Sequence, residues 1–338
     1  MATPKRILVT GGAGYVGAVL VPKLLEKGYS VRVLDLYIYG EQVLAPWASN
    51  PNLEQVKADI RDQKKVAEAL RTCDAVIHLA CISNDPSCNL DPQLTKSINY
   101  DAFIPFVQMC KDAKIERFIF ASSSSVYGLS DSPNVTEEHE RVPVSEYNKY
   151  KAKCEDFLDT IDSKQLPWVV IRPATICGYS PRQRLDLTVN ILTNHAVNKG
   201  QITVFGGSQY RPNLHIEDVT DLYLLLLELP FSRIAGETFN AGYQNHTVME
   251  IAHVVKSVVE KIYPKKAPLP IVVTKTDDIR SYRVSCEKIA RVLGFAPKYT
   301  IEDAARDLCG AFRDGKFQDP LTNSMYYNIN RMKEIGLK

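Results

Sequence analysis

No two of the eight cysteines in this 338-residue chain form a C-x-x-C pair. A disulfide framework belongs to small secreted domains, and a structural zinc site needs closely spaced ligands, so neither organises this protein. The thiols at 73, 81, 88, 110, 154, 177, 286 and 309 read instead as buried and reduced, in a cytoplasmic protein with no metal. Long apolar runs are also missing. The longest, Leu222 to Leu227, cannot span a bilayer, and Ile7–Val9 behind Lys5 and Arg6 is too short for a signal-peptide core. Strong charge of either sign is absent, the formal net charge being +2. Nucleic acid and membrane surfaces are therefore not expected partners. No internal repeat or low-complexity stretch appears.

What is present is enough apolar material, 45% of residues, for a sizeable core. Short apolar runs at Arg6–Thr10, Val31–Leu36, Leu53–Lys57, Ala75–Leu79, Arg117–Ala121 and Trp168–Ile171 read as strands. Helical patterns near 15–27, 62–72, 93–114 and 145–161 separate them. This alternation predicts an α/β fold, a doubly wound parallel sheet of Rossmann type. Continuous rather than alternating apolar strands fit burial on both faces. The rhythm changes after Gly178. A polar stretch (Ser180–Asp186) precedes a helix near 187–199, a strand Ile202–Phe205, a loop Gly206–Asn213 and a helix Asp218–Glu228. A helix near 248–262, the run Ile271–Thr274 and a helix near 301–313 follow. The reading is a cofactor domain over 1–178, to which a segment near 237–245 returns, and a smaller interleaved α/β lobe over 179–338. The pattern beyond Gln318 places nothing.

Gly11-Gly12-Ala13-Gly14-Tyr15-Val16-Gly17 joins the first strand directly to the first helix. Glycines there allow a tight turn, close approach of backbone to a pyrophosphate, and helix–strand contact. The helix N-terminus adds free N–H groups and a positive dipole end. Pro22 within that helix removes one hydrogen bond and predicts a local kink. Asp35 ends the second strand, 18 residues past Gly17. A carboxylate there accepts hydrogen bonds from both ribose hydroxyls and repels a 2′-phosphate, which selects NAD over NADP. Asp59 and Ile60, after the third strand, are placed to flank adenine. His78 reads as a core histidine with a satisfied ring.

Tyr147 and Lys151, four residues apart, share a helix face. An ammonium beside a phenol favours the phenolate and lowers its pKa. The serine cluster Ser122–Ser125 lies 22 to 25 residues before the tyrosine, at a strand end, where a hydroxyl can share the substrate's hydroxyl with it. Tyr150 and Lys149 read as packing and surface residues.

With these motifs in place, the chain resembles the extended short-chain dehydrogenase/reductases of the nucleotide-sugar epimerase/dehydratase group. The resemblance runs from Ile7 to about Phe312 and rests on TGGAGYVG (10–17), Asp35, HLAC (78–81), ASSSSVYG (121–128), YNKYK (147–151), RPATICG (172–178), RPNLHIED (211–218) and NAG (240–242). It implies catalysis by Tyr147, Lys151 and Ser123. It implies NAD contacts from Gly11, Gly14, Tyr15, Val16, Gly17, Asp35, Leu36, Asp59, Ile60, Leu79, Ala80, Cys81, Asn99, Ser122, Tyr147, Lys151 and Pro173. On the sugar-nucleotide side it implies Ser83, Ser123, Ser124, Tyr147, Thr175, Arg182, Arg184, Arg211, Lys275 and Arg280. A homodimer is implied too.

Departures from the family pattern narrow the activity. Sugar 4,6-dehydratases resemble T-D-E-V-Y-G where this chain has Ser123-Ser124-Ser125-Val126-Tyr127-Gly128. Two serines cannot supply that carboxyl chemistry, and the decarboxylases' glutamate is missing as well. Hydride chemistry remains, with a 4-epimerase as the leading expectation and a nucleotide-sugar 4-dehydrogenase or ketoreductase as the alternative. Thr175 stands where UDP-galactose 4-epimerase carries an asparagine. The segments 180–186 and 280–289 also resemble enzymes oxidising GDP-linked heptoses. Arg211 suits a diphosphate through bidentate, charge-assisted bonds, with Lys275 or Arg280 as the second contact. Ser180–Asp186 reads either as a phosphate or base grip or as a solvated loop. His215 and Asp218 read as structural. A non-catalytic NAD-binding sensor is the remaining class, and the presence of both Tyr147 and Lys151 argues against it.

Overall fold

A computed structural model describes residues 5–278 and 280–337 of the chain. The strands are β1 (Arg6–Thr10), β2 (Ser30–Asp35), β3 (Leu53–Lys57), β4 (Ala75–His78), β5 (Arg117–Ala121), β6 (Trp168–Pro173), β7 (Thr175–Cys177), β8 (Ile202–Phe205), β9 (Tyr210–His215), β10 (Glu237–Ala241), β11 (Gln244–Thr247) and β12 (Ile271–Thr274). Seven of them form one parallel sheet in the order β10-β6-β5-β4-β1-β2-β3. Chain direction away from β1 reverses between β1 and β4, and the crevice beyond their carboxyl ends is where such sheets bind ligands.

The strands are apolar throughout because both faces are covered. In β1, Ile7 and Val9 belong to one core, with Leu20, Leu24 and Val219, while Leu8 belongs to the opposite core, with Val66, Phe106 and Phe118. A parallel sheet with a helix layer on each face requires this two-sided pattern. The first helix, Gly17–Glu26, buries Leu20, Val21, Leu24 and Leu25 and runs through Pro22 as one element. β10 adds to the sheet beside β6, Phe239 facing Ile171 in register. Beyond Gly178, β11, β9 and β7 form a small sheet, β12 and β8 a second, and helices Thr188–Asn198, Val248–Ile262 and Ile301–Arg313 enclose a third core.

Five local readings change. The segment 206–213 is not all loop, because Tyr210–His215 is a strand paired on both sides. The 93–114 helix is three pieces, Pro92–Lys96, a wide π-type turn Ser97–Asp101, and Phe103–Asp112. The Ser180–Asp186 segment is no solvated loop, since Ser180, Arg182, Gln183 and Arg184 are all buried. The residues after Gln318 contain a helix, Asn328–Ile335, and an additional helix covers Glu287–Leu293.

Candidate active site

One cavity of about 640 Å³ lies over the carboxyl ends of the sheet. Its first end is the glycine turn. Gly11 has φ +71°, and a Cβ there would sit 2.7 Å from the Ala80 backbone nitrogen. A Cβ on Gly17 would lie 2.3 Å from the Gly12 carbonyl oxygen, so the helix can only start this close to the turn with hydrogen at that position. Gly14 differs. A Cβ there would meet only the Gly11 carbonyl, at 3.1 Å, and the rest of its surroundings is the cavity. That open cradle at a helix N-terminus fits a pyrophosphate. Asp35 stands beside it, accepting from the backbone N–H of Ala13 at 3.0 Å and of Tyr37 at 2.7 Å. Burial raises its pKa, and those bonds offset part of the rise. Backbone amides do not use up the lone pairs of a carboxylate, which leaves capacity for a ribose hydroxyl. The donor set therefore fits a dinucleotide with an unmodified adenosine ribose.

Most of the expected cofactor residues line this cavity: Tyr15, Val16 and Leu36 near the turn, Asp59 and Ile60 after β3, and Leu79, Ala80 and Cys81 after β4, with Ser122 and Pro173 beyond. Asp59 also pairs with Arg61 at 2.7 Å. Asn99 is the exception. It lies in the wide turn under the floor, where its side chain bonds both the N–H and the carbonyl of Ile82, at 2.8 and 2.9 Å. It shapes the wall without joining it. Ser122 spends its hydroxyl on Glu155, which is 1% exposed and pairs with Arg172 at 2.6 Å. His78 has the expected core character. Its Nδ1 meets Thr10 Oγ1 at 2.8 Å inside a cage of Phe103, Phe106, Phe118 and Phe120, and burial, helped by the Lys151 charge, lowers its pKa to about 3.

The middle of the cavity holds Tyr147, Lys151 and Ser123. The helix Glu146–Asp159 begins at Ser145, whose side chain caps the Asn148 N–H. Capping starts the helix where the first turn presents Tyr147 to the cavity. Lys151 donates to the Ala121 carbonyl at 2.5 Å, and its Nζ lies 5.9 Å from the Tyr147 ring centre. Ser123 Oγ lies 2.7 Å from Ser125 Oγ, and Ser125 donates to Asn148 Oδ1 at 2.7 Å. Ser125 has one hydrogen, so Ser123 donates to it and keeps a lone pair for the cavity. One expectation is corrected here. Tyr147 does not rest with a lowered pKa: burial raises it well above the ordinary phenol value, Cys81, Cys88 and Asp85 add to the rise, and Arg184 opposes it. Desolvation acts on the whole ring, whereas the ammonium is partly spent on a carbonyl.

The far end holds three arginines, each paired with a carboxylate. Arg211 pairs with Asp278 at 2.8 Å, and Arg280 pairs with Asp278 at 2.6 Å and with Asp85. Burial would raise the Asp278 pKa, but the Arg280 hydrogen bond and the charges of both arginines hold it at about 2. Arg184 pairs with Asp186 at 2.9 Å and reaches Ser83. Thr175 lines the same wall, and Ser124 donates to the Tyr282 hydroxyl at 3.4 Å. Lys275 is exposed and outside the cavity, so of the two candidates for the second phosphate contact only Arg280 lines it. Sequence reasoning missed Tyr39, Asp85, Asp278, Tyr282, Asn328 and Met332, all in the cavity wall. None carries a local motif; only Tyr282 fell within a segment already singled out.

Comparison with known proteins agrees with this architecture. The chain is 27% identical to the UDP-glucose 4-epimerase of Lactobacillus helveticus over 316 residues, covering 87% of this chain and 92% of that protein. It is 28% identical to UDP-glucuronic acid decarboxylase 1 of Arabidopsis thaliana over 320 residues, covering 91% and 70%. The UDP-glucose 4-epimerase of Thermotoga maritima, solved with UDP-glucose, superposes with a TM-score of 0.80 at 25% identity, covering 92% of this chain and 99% of that one. The dTDP-glucose 4,6-dehydratase of Streptomyces venezuelae, solved with NAD, gives 0.82 at 25%, covering 94% and 100%. Among the described residues no helix is long and apolar enough to cross a membrane. Residues 7–242 match the NAD dependent epimerase/dehydratase family, and with the glycine turn, the Asp35 position and the Rossmann sheet all in place, the chain belongs to that family and is an NAD-dependent enzyme.

Proposed function

We propose that the protein is a nucleotide-sugar epimerase that oxidises a sugar hydroxyl, at C4, and restores it with the opposite configuration. The observation that carries this reading is a single cavity with the glycine turn at one end, Arg211 and Arg280 at the other, and Tyr147, Lys151 and Ser123 between them. NAD held there would supply the hydride acceptor and the source of the returning hydride. Ser123 accepts from the reacting hydroxyl in the resting complex; as Tyr147 takes that one proton, the Ser123 hydrogen turns from Ser125 to the developing alkoxide oxygen. Lys151 and Arg184 supply positive charge that favours the phenolate against the cost of burial. Proton return from Tyr147 to the alkoxide completes the inversion. Arg211 and Arg280 exchange Asp278 and Asp85 for the substrate diphosphate, through charge-assisted bonds of the same kind. Gly11, Gly14, Gly17 and Asp35 hold the cofactor.

Water elimination is disfavoured by the environment of the serines. The hydroxyls of Ser124 and Ser125 are committed to Tyr282 and Asn148, and neither position offers a carboxyl group. The 4-dehydrogenase reading uses the same residues and differs only in whether the keto sugar leaves. The deciding experiment incubates the protein with UDP-, GDP-, dTDP- and CDP-sugars and follows product stereochemistry by NMR beside reduced-nicotinamide absorbance. Inversion at C4 without accumulation of NADH supports the epimerase. A product unchanged at every carbinol centre, or stoichiometric NADH, excludes it.

A further inference from the structure

The helix Asn328–Ile335 lies against the cofactor half of the cavity, held there by directed hydrogen bonds. The Asn328 backbone N–H donates to Asp186 at 3.1 Å, and its side-chain amide donates to Ser83 Oγ at 2.8 Å. Its side-chain oxygen accepts from Arg182 Nη2 at 2.6 Å. One turn later, Arg331 donates to the Ile38 carbonyl at 2.6 Å, just past Asp35. Met332 is 7% exposed and belongs to the apolar cluster that contains Leu34, Ile60 and Ile98, against which the half-buried Leu337 packs. Met332, Leu337, Asp59 and Ile60 line the same cavity.

Arg182 supplies a second, independent observation. It is 4% exposed, its guanidinium lies 3.4 Å from the Tyr39 ring centre, and it lines the cavity. Its Nε has no hydrogen-bond partner, and among the described residues it forms no salt bridge. The surrounding loop is tied to the glycine turn, because Ser180 donates to the Tyr15 carbonyl at 2.8 Å and Tyr15 to the Gly178 carbonyl at 2.7 Å. Burial lowers the Arg182 pKa to about 10, and Tyr39, Asp186 and Asp35 exert opposing charge effects. A buried cation with no direct salt bridge is costly, and an anion entering the cavity would offset that cost.

We propose that the helix Asn328–Ile335 is part of the NAD site: Met332 and Leu337 close the adenine end, and Asn328 aims Arg182 at the cofactor diphosphate. Arg182 then serves the cofactor and not the sugar nucleotide, to which sequence reasoning assigned it. The proposal rests on the reading of this cavity as one that holds NAD beside a nucleotide sugar. It also gives that reading a physical consequence. A cofactor covered by a docked helix stays bound between turnovers, which suits a hydride that is lent and returned.

The test uses the full chain with Met332→Asp, Arg331→Ala, Asn328→Ala and Arg182→Met. NADH dissociation is followed by stopped-flow fluorescence, and NADH, UDP and GDP affinities are measured separately. Each variant is expected to release NADH at least about tenfold faster, while UDP and GDP affinities stay within about twofold. Circular dichroism and the melting temperature identify any variant that fails to fold. Arg331→Ala, whose side chain bonds the Ile38 carbonyl and Glu334, then gives the independent reading. Unchanged NADH release in the folded variants overturns the proposal. So does loss of UDP or GDP affinity with NADH binding intact. Failure of the epimerase assay would leave these cofactor rates untouched, so the two readings fail separately.

Discussion

The Lys151 ammonium lies 5.9 Å from the Tyr147 ring centre while donating to the Ala121 carbonyl at the end of β5. The sheet thereby fixes the lysine, and the lysine in turn presents its charge to the phenol at a set distance. Because burial raises the Tyr147 pKa, the phenol is protonated through the neutral range, and the oxidation step gains rate as pH rises. Tyr147→Phe is expected to lower kcat by about 10²- to 10⁴-fold with NADH affinity retained. Lys151→Met should shift the rate–pH profile to higher pH. A profile that stays in place would remove Lys151 from the proton chemistry.

Gly17→Ala places a methyl 2.3 Å from the Gly12 carbonyl, and backbone cannot yield as a flexible side chain can. The turn must open, taking its N–H groups off the diphosphate. NADH affinity measured by fluorescence titration should fall by more than about tenfold. Gly28→Ala makes a useful contrast, since no atom lies within 4 Å of its Cβ position and only its φ of +84° resists the change. It should cost stability of about 1 kcal/mol without weakening NADH.

Asp35 is expected to set cofactor choice. Its carboxylate is held by the backbone N–H groups of Ala13 and Tyr37, among others, so a 2′-phosphate would meet fixed negative charge. Asp35→Ser should reduce the preference for NAD over NADP by about tenfold or more, measured as a ratio of kcat/KM values. An unaltered ratio would place the ribose elsewhere.

Glu155 and Arg172 form a buried pair, 1% and 5% exposed, that also takes the Ser122 hydroxyl and Arg141. Breaking one member leaves the other charge buried. Arg172→Met is therefore expected to cost about 3–5 kcal/mol in urea unfolding, and the paired exchange Glu155→Gln with Arg172→Met less than the sum of the two.

His78 and His195 have pKa values lowered to about 3 and about 4, in both cases first by burial and then by a nearby lysine. Both are neutral in the folded chain and protonate in the unfolded chain below about pH 6.5. Stability is fully present above that pH and falls as pH drops toward the folded values, each histidine contributing a slope of at most about 1.4 kcal/mol per pH unit. Melting temperatures between pH 5 and 8 should show this acid limb. His78→Phe should flatten it, and an unflattened limb would assign the acid sensitivity to other groups.

The sequence by itself determined the sheet, the glycine turn, Asp35 and the Tyr147/Lys151 pair. In each, the physics is local. Apolar runs buried on two faces specify parallel strands, a strand-to-helix turn needs glycine at fixed places, and four-residue spacing on a helix sets a shared face. Tertiary structure alone decided the rest. Lys275 and Arg280 look equally suited as phosphate ligands along the chain, but only Arg280 faces the cavity, where Asp85, 195 residues away, meets it. Arg182 reads as a substrate contact along the chain, and only the fold brings Asn328, from a segment without sequence pattern, to its guanidinium. Asn99 reads as a ligand contact until the wide turn carries it beneath the floor. The Tyr147 pKa follows the same rule, because desolvation depends on everything that surrounds the ring, and sequence spacing records only the lysine.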